Sequence, residues 1–137
     1  MPRNRGTESP LLWRGDSTAV GVEMDEAAGV IQRHKVAGLY LFARVEGKKI
    51  NVRARFFAPA LSIPEDPATG SAAGAVGAYL ARILKFPADL KLIISQGEEM
   101  GRPSLLETDV HCDRGMVHSV WVSGSVASVG EGSIITP

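Results

Sequence analysis

The sequence predicts an α+β fold in which a curved, mainly antiparallel sheet is wrapped around one central helix of small residues. Three observations lead there. Six or so short apolar or alternating segments are separated by turn residues, so strands outnumber helices. Consecutive segments are joined by only a few residues, which suits hairpins better than long parallel crossovers. One stretch, EDPATGSAAGAVGAYL (residues 65–80), opens with two carboxylates and a proline and then runs mostly on Gly, Ala and Ser, and no charged residue occurs from Gly70 to Ala81. Gly70, Gly74 and Gly77 each weaken a helix by roughly 0.5–1 kcal/mol relative to Ala. That cost is offset where other elements must approach the helix closely, on every side if the sheet curls round it.

Taken in order, residues 1–23 mix Pro, Gly, Ser and scattered charges without periodicity and read as a poorly ordered arm. Residues 24–137 read as a single lobe. A short helix is expected over Asp25–His34, with Ala27, Val30 and Ile31 on one side and Asp25 and Glu26 at its positive end. Val36–Val45 is a strand, Glu46-Gly47-Lys48 a turn, and the return strand alternates: Ile50, Val52, Ala54 and Phe56 against Asn51, Arg53 and Arg55. Ala58-Pro59 breaks it. The small-residue helix starts near Asp66-Pro67 and stops before Phe86-Pro87. Leu90–Ser95 and Ser104–Thr108 are strands flanking a Gly-containing loop, 96–103. Val110–Asp113 and Met116–Val122 form a second hairpin around Arg114-Gly115, and Ser125–Val129 is a last strand.

Composition narrows the function. With 137 residues there is room for one domain and a real core, and 45% hydrophobic content suits a folded chain. Fifteen basic residues balance fifteen acidic ones, so no global field attracts nucleic acid or a membrane surface, and neither is an expected partner. Cys112 is the single cysteine, and no stretch resembles a signal peptide or approaches membrane-spanning length. A reducing, cytoplasmic setting is expected.

Asp66 is a good helix cap and Pro67 fits a first helical turn, with Thr69 or Ser71 as alternative caps. Whichever holds, Gly70, Ser71 and Ala72 lie where backbone N–H groups lack intrahelical partners. Such a tip favours a carboxylate, a phosphate or a developing oxyanion. Neither a Walker loop nor the dinucleotide spacing G-x-G-x-x-G is present. Two readings stay open on residues alone: a capped, tightly packed helix, or a binding site at its mouth.

Arg55 to Leu80, RFFAPALSIPEDPATGSAAGAVGAYL, followed by SQGEEMGRPSLL from Ser95 to Leu106, resembles the PhzF-like phenazine-biosynthesis family. The order and spacing of RxF-P, EDPATGSA and QGxxMGRPS carry the resemblance, which runs from about Met24 to the C-terminus. It implies a diaminopimelate-epimerase-like fold of two lobes, each a sheet around a helix, of which this chain matches the C-terminal lobe. It also implies isomerisation of a small carboxylic acid by proton transfer, with no metal and no organic cofactor. By the same resemblance Asp66 handles the proton, and Gly70 and Ser71 offer N–H groups to a carboxylate or enolate. Thr69, Gln96, Gly97 and Arg55 complete the binding set. The family's principal base is a glutamate of the N-terminal lobe, beside a Gly-Gly-His-Pro helix mouth, and this chain has no Gly-Gly pair. The expectation is therefore a homodimer, in which Glu65 or Asp66 of the second copy stands in for the absent base. A non-catalytic carboxylate-binding module and a truncated remnant that dimerises are the alternatives.

Two lesser features complete the reading. A two-residue turn at Arg114-Gly115 would set His111 opposite His118, the start of a zinc site lacking further ligands, so no metal is expected. Cys112, in an alternating strand, reads as an inert thiol.

Overall fold

The computed structural model describes residues 23–45 and 50–136. The expected N-terminal arm, Glu23 apart, and the turn at residues 46–48 lie outside the described residues. In chain order the elements are α1 (Met24–His34), β1 (Leu39–Val45), β2 (Ile50–Ala58), a 3-10 turn (Pro59–Leu61), β3 (Ile63–Asp66), α2 (Gly70–Ile83), β4 (Leu90–Gln96), β5 (Ser104–Asp113) and β6 (Met116–Ser123). The six strands make one open, curved sheet ordered β1-β2-β4-β5-β6, with β3 also paired to β2. Every pairing is antiparallel except β2 with β4, because α2 carries the chain across between them. The α+β class and the mainly antiparallel sheet match the sequence prediction.

Alternation fixes which side of the sheet is core. Val52 and Ala54 of β2, Leu92 and Ile94 of β4, and Leu106 and Val110 of β5 all turn toward α2, which contributes Ala73, Val76, Leu80 and Ala81. On the other face lie Arg53, Arg55, Lys91, Glu107 and Asp109. The helix is made of small residues because it presses on β5. A Cβ added at Gly77 would come within 2.5 Å of Thr108 Cγ2 and 3.0 Å of Val110 Cγ2. Burial of α2 is nonetheless one-sided. Ser71, Ala75 and Arg82 are exposed, since an open sheet covers one flank and leaves the other. The expectation that every helix face is core is thereby corrected.

Four local expectations also change. The helix starts at Gly70 with Thr69, one of the alternative caps, at its N-cap, and Asp66 instead ends a short strand, β3, with Pro67 just beyond it. Ser104–Asp113 is one continuous strand, not two. His111 pairs with Ser119 and not His118, because a bulge follows at Cys112, which pairs with Val117 and leaves His118 as the extra residue. Ser125–Val129 forms no strand, and Val126 and Val129 are 97% and 99% exposed. Their apolar pattern is strand-like, but a strand persists only where a neighbouring ladder takes its backbone groups.

Candidate active site

The strand registers bring four separated residues to one place. Tyr40 of β1 stands opposite Phe56 of β2, and Phe56 stands opposite Asp66 of β3. These three form a row across the sheet, on the face that carries α2. Gln96, the last residue of β4, faces Ala54 one step along the same side. Thr69, at the mouth of α2, meets them from above.

Gln96 is 1% exposed, and all four of its hydrogen-bonding positions are used. Its Oε1 accepts from Tyr40 O–H at 2.9 Å and from Thr69 N–H at 3.3 Å. Its Nε2 donates to the Asp66 carbonyl at 2.6 Å and to Thr69 Oγ1 at 3.0 Å. The Thr69 hydroxyl then donates to Asp66 Oδ2 at 2.6 Å, a short charge-assisted contact, and makes no capping bond to the helix. Burial first, and the neighbouring Asp66 carboxylate second, push the Tyr40 phenol far above its usual range, so it stays an O–H donor.

The helix tip remains open beside this network. Thr69 O takes the first intrahelical bond, from Ala73 N–H, and among the described residues the N–H groups of Gly70, Ser71 and Ala72 meet no acceptor. Ala68 and Gly70 line a groove of about 630 Å³, bounded across from them by Pro103 to Leu106 and by Val122 to Ser125. Gly97 shapes the same end. Its φ is +80°, and a Cβ there would meet Arg102 O at 2.5 Å and Pro67 Cα at 2.9 Å. Only glycine lets the loop after β4 lie against Pro67. Arg102 and Met100 N–H groups both close back on Gly97 O.

Arg55 and Glu65 stand apart from that network. They form a two-point pair, Nε to Oε1 at 2.8 Å and Nη2 to Oε2 at 2.9 Å, both side chains largely covered. The guanidinium also lies 4.9 Å from the Phe57 ring centre. The Glu65 hydrogen bond holds the Arg55 charge on more firmly than usual. Arg55, Phe57 and Glu65 share the sheet face turned away from α2, so Glu65 and Asp66, the two carboxylates named as catalytic candidates, point to opposite sides of β3.

Of the expected residues, the structure therefore gathers Asp66, Thr69, Gln96, Gly70 and Ser71 around the helix mouth, with Gly97 supporting its rim. It places Arg55 and Glu65 elsewhere. Tyr40 is an addition that sequence reasoning missed, since a tyrosine in an apolar strand reads as core. Among the described residues no group of three or more His, Cys, Asp or Glu side chains is arranged to hold a metal ion.

The family of phenazine biosynthesis-like proteins matches residues 16–132. The chain belongs to the PhzF family. Similar proteins include an uncharacterized isomerase of Deinococcus radiodurans, 38% identical over 126 residues and covering 90% of this chain and 40% of that protein. An uncharacterized isomerase of Clostridium acetobutylicum is 36% identical over 111 residues, 74% of this chain and 35% of that protein. The trans-2,3-dihydro-3-hydroxyanthranilate isomerase of Pseudomonas aeruginosa is 42% identical over 80 residues, 58% of this chain and 29% of that protein. A crystal structure of a PhzF-family phenazine biosynthesis protein of Bacillus anthracis superposes with a TM-score of 0.59 at 20% identity, covering 77% of this chain and 41% of that one. The matched region thus spans well under half the length of these relatives. Among the described residues no helix is long and apolar enough to cross a membrane.

The chemistry available to the site is specific. A carboxylate with one oxygen tied and the other clear can take or give a proton. The unpaired amides of an adjacent helix tip can stabilise the negative charge that such a transfer creates.

Proposed function

We propose that this PhzF-family chain is one half of a cofactor-independent isomerase, moving a proton on a small carboxylic acid in a cleft completed by a second subunit. Asp66 carries the proton. The N–H groups of Gly70 and Ser71 hold the substrate carboxylate or the enolate oxygen, in a groove whose apolar wall is Leu105, Leu106 and Val122. Glu65, clamped by Arg55, stiffens β3 behind Asp66 and does not act as the base within its own chain. The observation that carries this reading is the position of Asp66: its carboxylate is tied by Thr69 beside a helix tip with unsatisfied amides. The isomerases among its relatives support the reaction class.

A second copy is the proposed source of the missing half. Sedimentation is expected to give a dimer at micromolar concentration, and a monomer would remove this part of the reading. For the chemistry, the chain is incubated in D2O with trans-2,3-dihydro-3-hydroxyanthranilate, the compound named for the Pseudomonas aeruginosa relative. Deuterium uptake that disappears in Asp66→Asn is the expected result. No uptake, or uptake indifferent to that substitution, would overturn it.

One observation favours the non-catalytic alternative. Among the described residues Asp66 is the one carboxylate joined to the helix-mouth network, since Glu65 is committed to Arg55. A single carboxylate and a set of amides suffice to bind an acid. Stabilisation of the chain by that same acid without deuterium uptake would select this reading.

A further inference from the structure

The hydrogen bonds around Gln96 have a direction, and that direction reaches Asp66. Amide oxygen and nitrogen are assigned from their partners, and here both ends are fixed by groups with no choice. Thr69 N–H can only donate, so the atom 3.3 Å from it is Oε1. The Asp66 carbonyl can only accept, so the atom 2.6 Å from it is the NH2. The second amide hydrogen then points at Thr69 Oγ1, which accepts at 3.0 Å and has one proton left to give. That proton goes to Asp66 Oδ2 at 2.6 Å. Tyr40 supplies the second donor to Oε1, and its ring is held against Phe56 with centroids 6.0 Å apart.

We propose that Tyr40, Gln96 and Thr69 form a one-way hydrogen-bond chain that keeps Asp66 Oδ2 an acceptor and so confines proton exchange at Asp66 to Oδ1. Tyr40 is then a positioning residue, acting through Gln96 and touching no substrate. Asp66 Oδ1 has no hydrogen-bond partner among the described residues and is not among the buried unsatisfied atoms. Oδ2 already accepts the Thr69 proton in a short bond, which lowers its basicity, whereas both lone pairs of Oδ1 are clear. The chain therefore favours one oxygen of the two as the working position, which sets the side of Asp66 that the substrate carbon approaches. This assignment rests on the proposed role of Asp66 for its catalytic meaning, but the direction of the chain is a property of the folded protein and is tested separately.

The test is proton NMR of the chain itself. The Thr69 hydroxyl proton and both Gln96 side-chain amide protons are expected as resolved signals protected from exchange with water. In Tyr40→Phe, with backbone amide shifts of α2 and β4 retained, exchange of these three protons is expected to speed up by roughly tenfold or more, as loss of one of four bonds loosens the amide. In Asp66→Asn the new side-chain oxygen must take the Oδ2 position. The Thr69 hydroxyl signal is expected to persist with only weak cross-peaks to the new amide hydrogens. A Thr69 hydroxyl that exchanges like an exposed one, or a Tyr40→Phe protein with unchanged exchange rates, would overturn the chain. So would close cross-peaks between the hydroxyl and the new amide in Asp66→Asn. The deuterium-uptake assay adds a functional reading: Thr69→Val is expected to lose far more rate than Thr69→Ser, mainly in kcat. Equal losses would count against confinement to Oδ1. Absence of uptake in the unaltered chain would defeat the isomerase reading while the NMR result still decides this one.

Discussion

Glu65 and Asp66 are neighbours in the chain yet serve opposite faces of β3: Glu65 grips Arg55 on the outer side, and Asp66 accepts from Thr69 on the helix side. The alternation of a strand separates them without any further device. Their substitutions should separate as cleanly. Glu65→Gln breaks a two-point charged pair that is largely covered, and is expected to cost about 1.5–3 kcal/mol, the range for charge-assisted hydrogen bonds. Its deuterium uptake should persist. Asp66→Asn is expected to abolish uptake with a smaller loss of thermal stability, since the amide oxygen can still accept from Thr69. Thermal melts and the uptake assay on both variants check this, and a catalytic loss in Glu65→Gln equal to that in Asp66→Asn would contradict the division.

Gly77 and Gly74 are predicted to differ although both sit mid-helix. At Gly77 a Cβ would fall 2.5 Å from Thr108 Cγ2, a methyl held in the middle of β5. Overpacking there costs about 1–3 kcal/mol against ~1 kcal/mol gained in helix propensity, so Gly77→Ala is expected to destabilise by up to about 2 kcal/mol. At Gly74 the closest atom is Val122 Cγ2 at 3.3 Å, on the edge strand β6. There a few tenths of an ångström of yielding are available, so Gly74→Ala should be neutral or stabilising by up to about 1 kcal/mol. Urea unfolding of the two variants decides it.

Thr108 offers a stabilising change in the same layer. It is 1% exposed, and its Oγ1 has no hydrogen-bond partner. Its methyl packs on Gly77 while its hydroxyl is stranded. Thr108→Val keeps the methyl and replaces the stranded oxygen by carbon of similar size. A gain of about 1 kcal/mol is expected, at the lower end of the 1–3 kcal/mol that an unsatisfied buried group costs. A higher urea midpoint with an unchanged m-value is the signature.

Much of this architecture was legible in the sequence, for reasons that vary with the element. In β2 the split between Val52/Ala54 and Arg53/Arg55 declared itself because each face has a single environment. The charge-free run from Gly70 to Ala81 announced a close-packed helix, and the unpaired amides at its mouth followed from helix geometry alone. The exact start did not, because Asp66, Thr69 and Ser71 are all acceptable caps and the sheet chose among them by recruiting Ile63–Asp66 as a strand. Four residues, one of them Pro64, give no strand signal of their own. The His111 register failed because a bulge is set by the ladder and not by the turn residues. Tyr40 was invisible as a site residue for a plainer reason: its partner Gln96 is 56 positions away, and only the β1-β2-β4 order makes them meet.

One end of the β4–β5 ladder carries a pH-dependent clasp. Asp89, in the turn before β4, accepts from Cys112 N–H through Oδ1 at 3.0 Å and meets His111 Nδ1 through Oδ2 at 3.0 Å. These two contacts, with a weaker contribution from the nearby Lys91 charge, hold its carboxyl below the usual range. A carboxyl whose folded value is depressed stabilises the fold wherever it is ionised, and that contribution disappears as pH falls through the folded value. Asp89→Ala is therefore expected to lower Tm at pH 6, and the gap between variant and unaltered chain should narrow steadily below about pH 4, the unfolded value for aspartate. The clasp is exposed and screened by salt, so the gap should also shrink in 1 M NaCl. Melting curves of both proteins between pH 6 and pH 2.5 check the sign. A gap that stays constant across that range, or widens toward acid, would show that Asp89 contributes through packing of the turn and not through its charge.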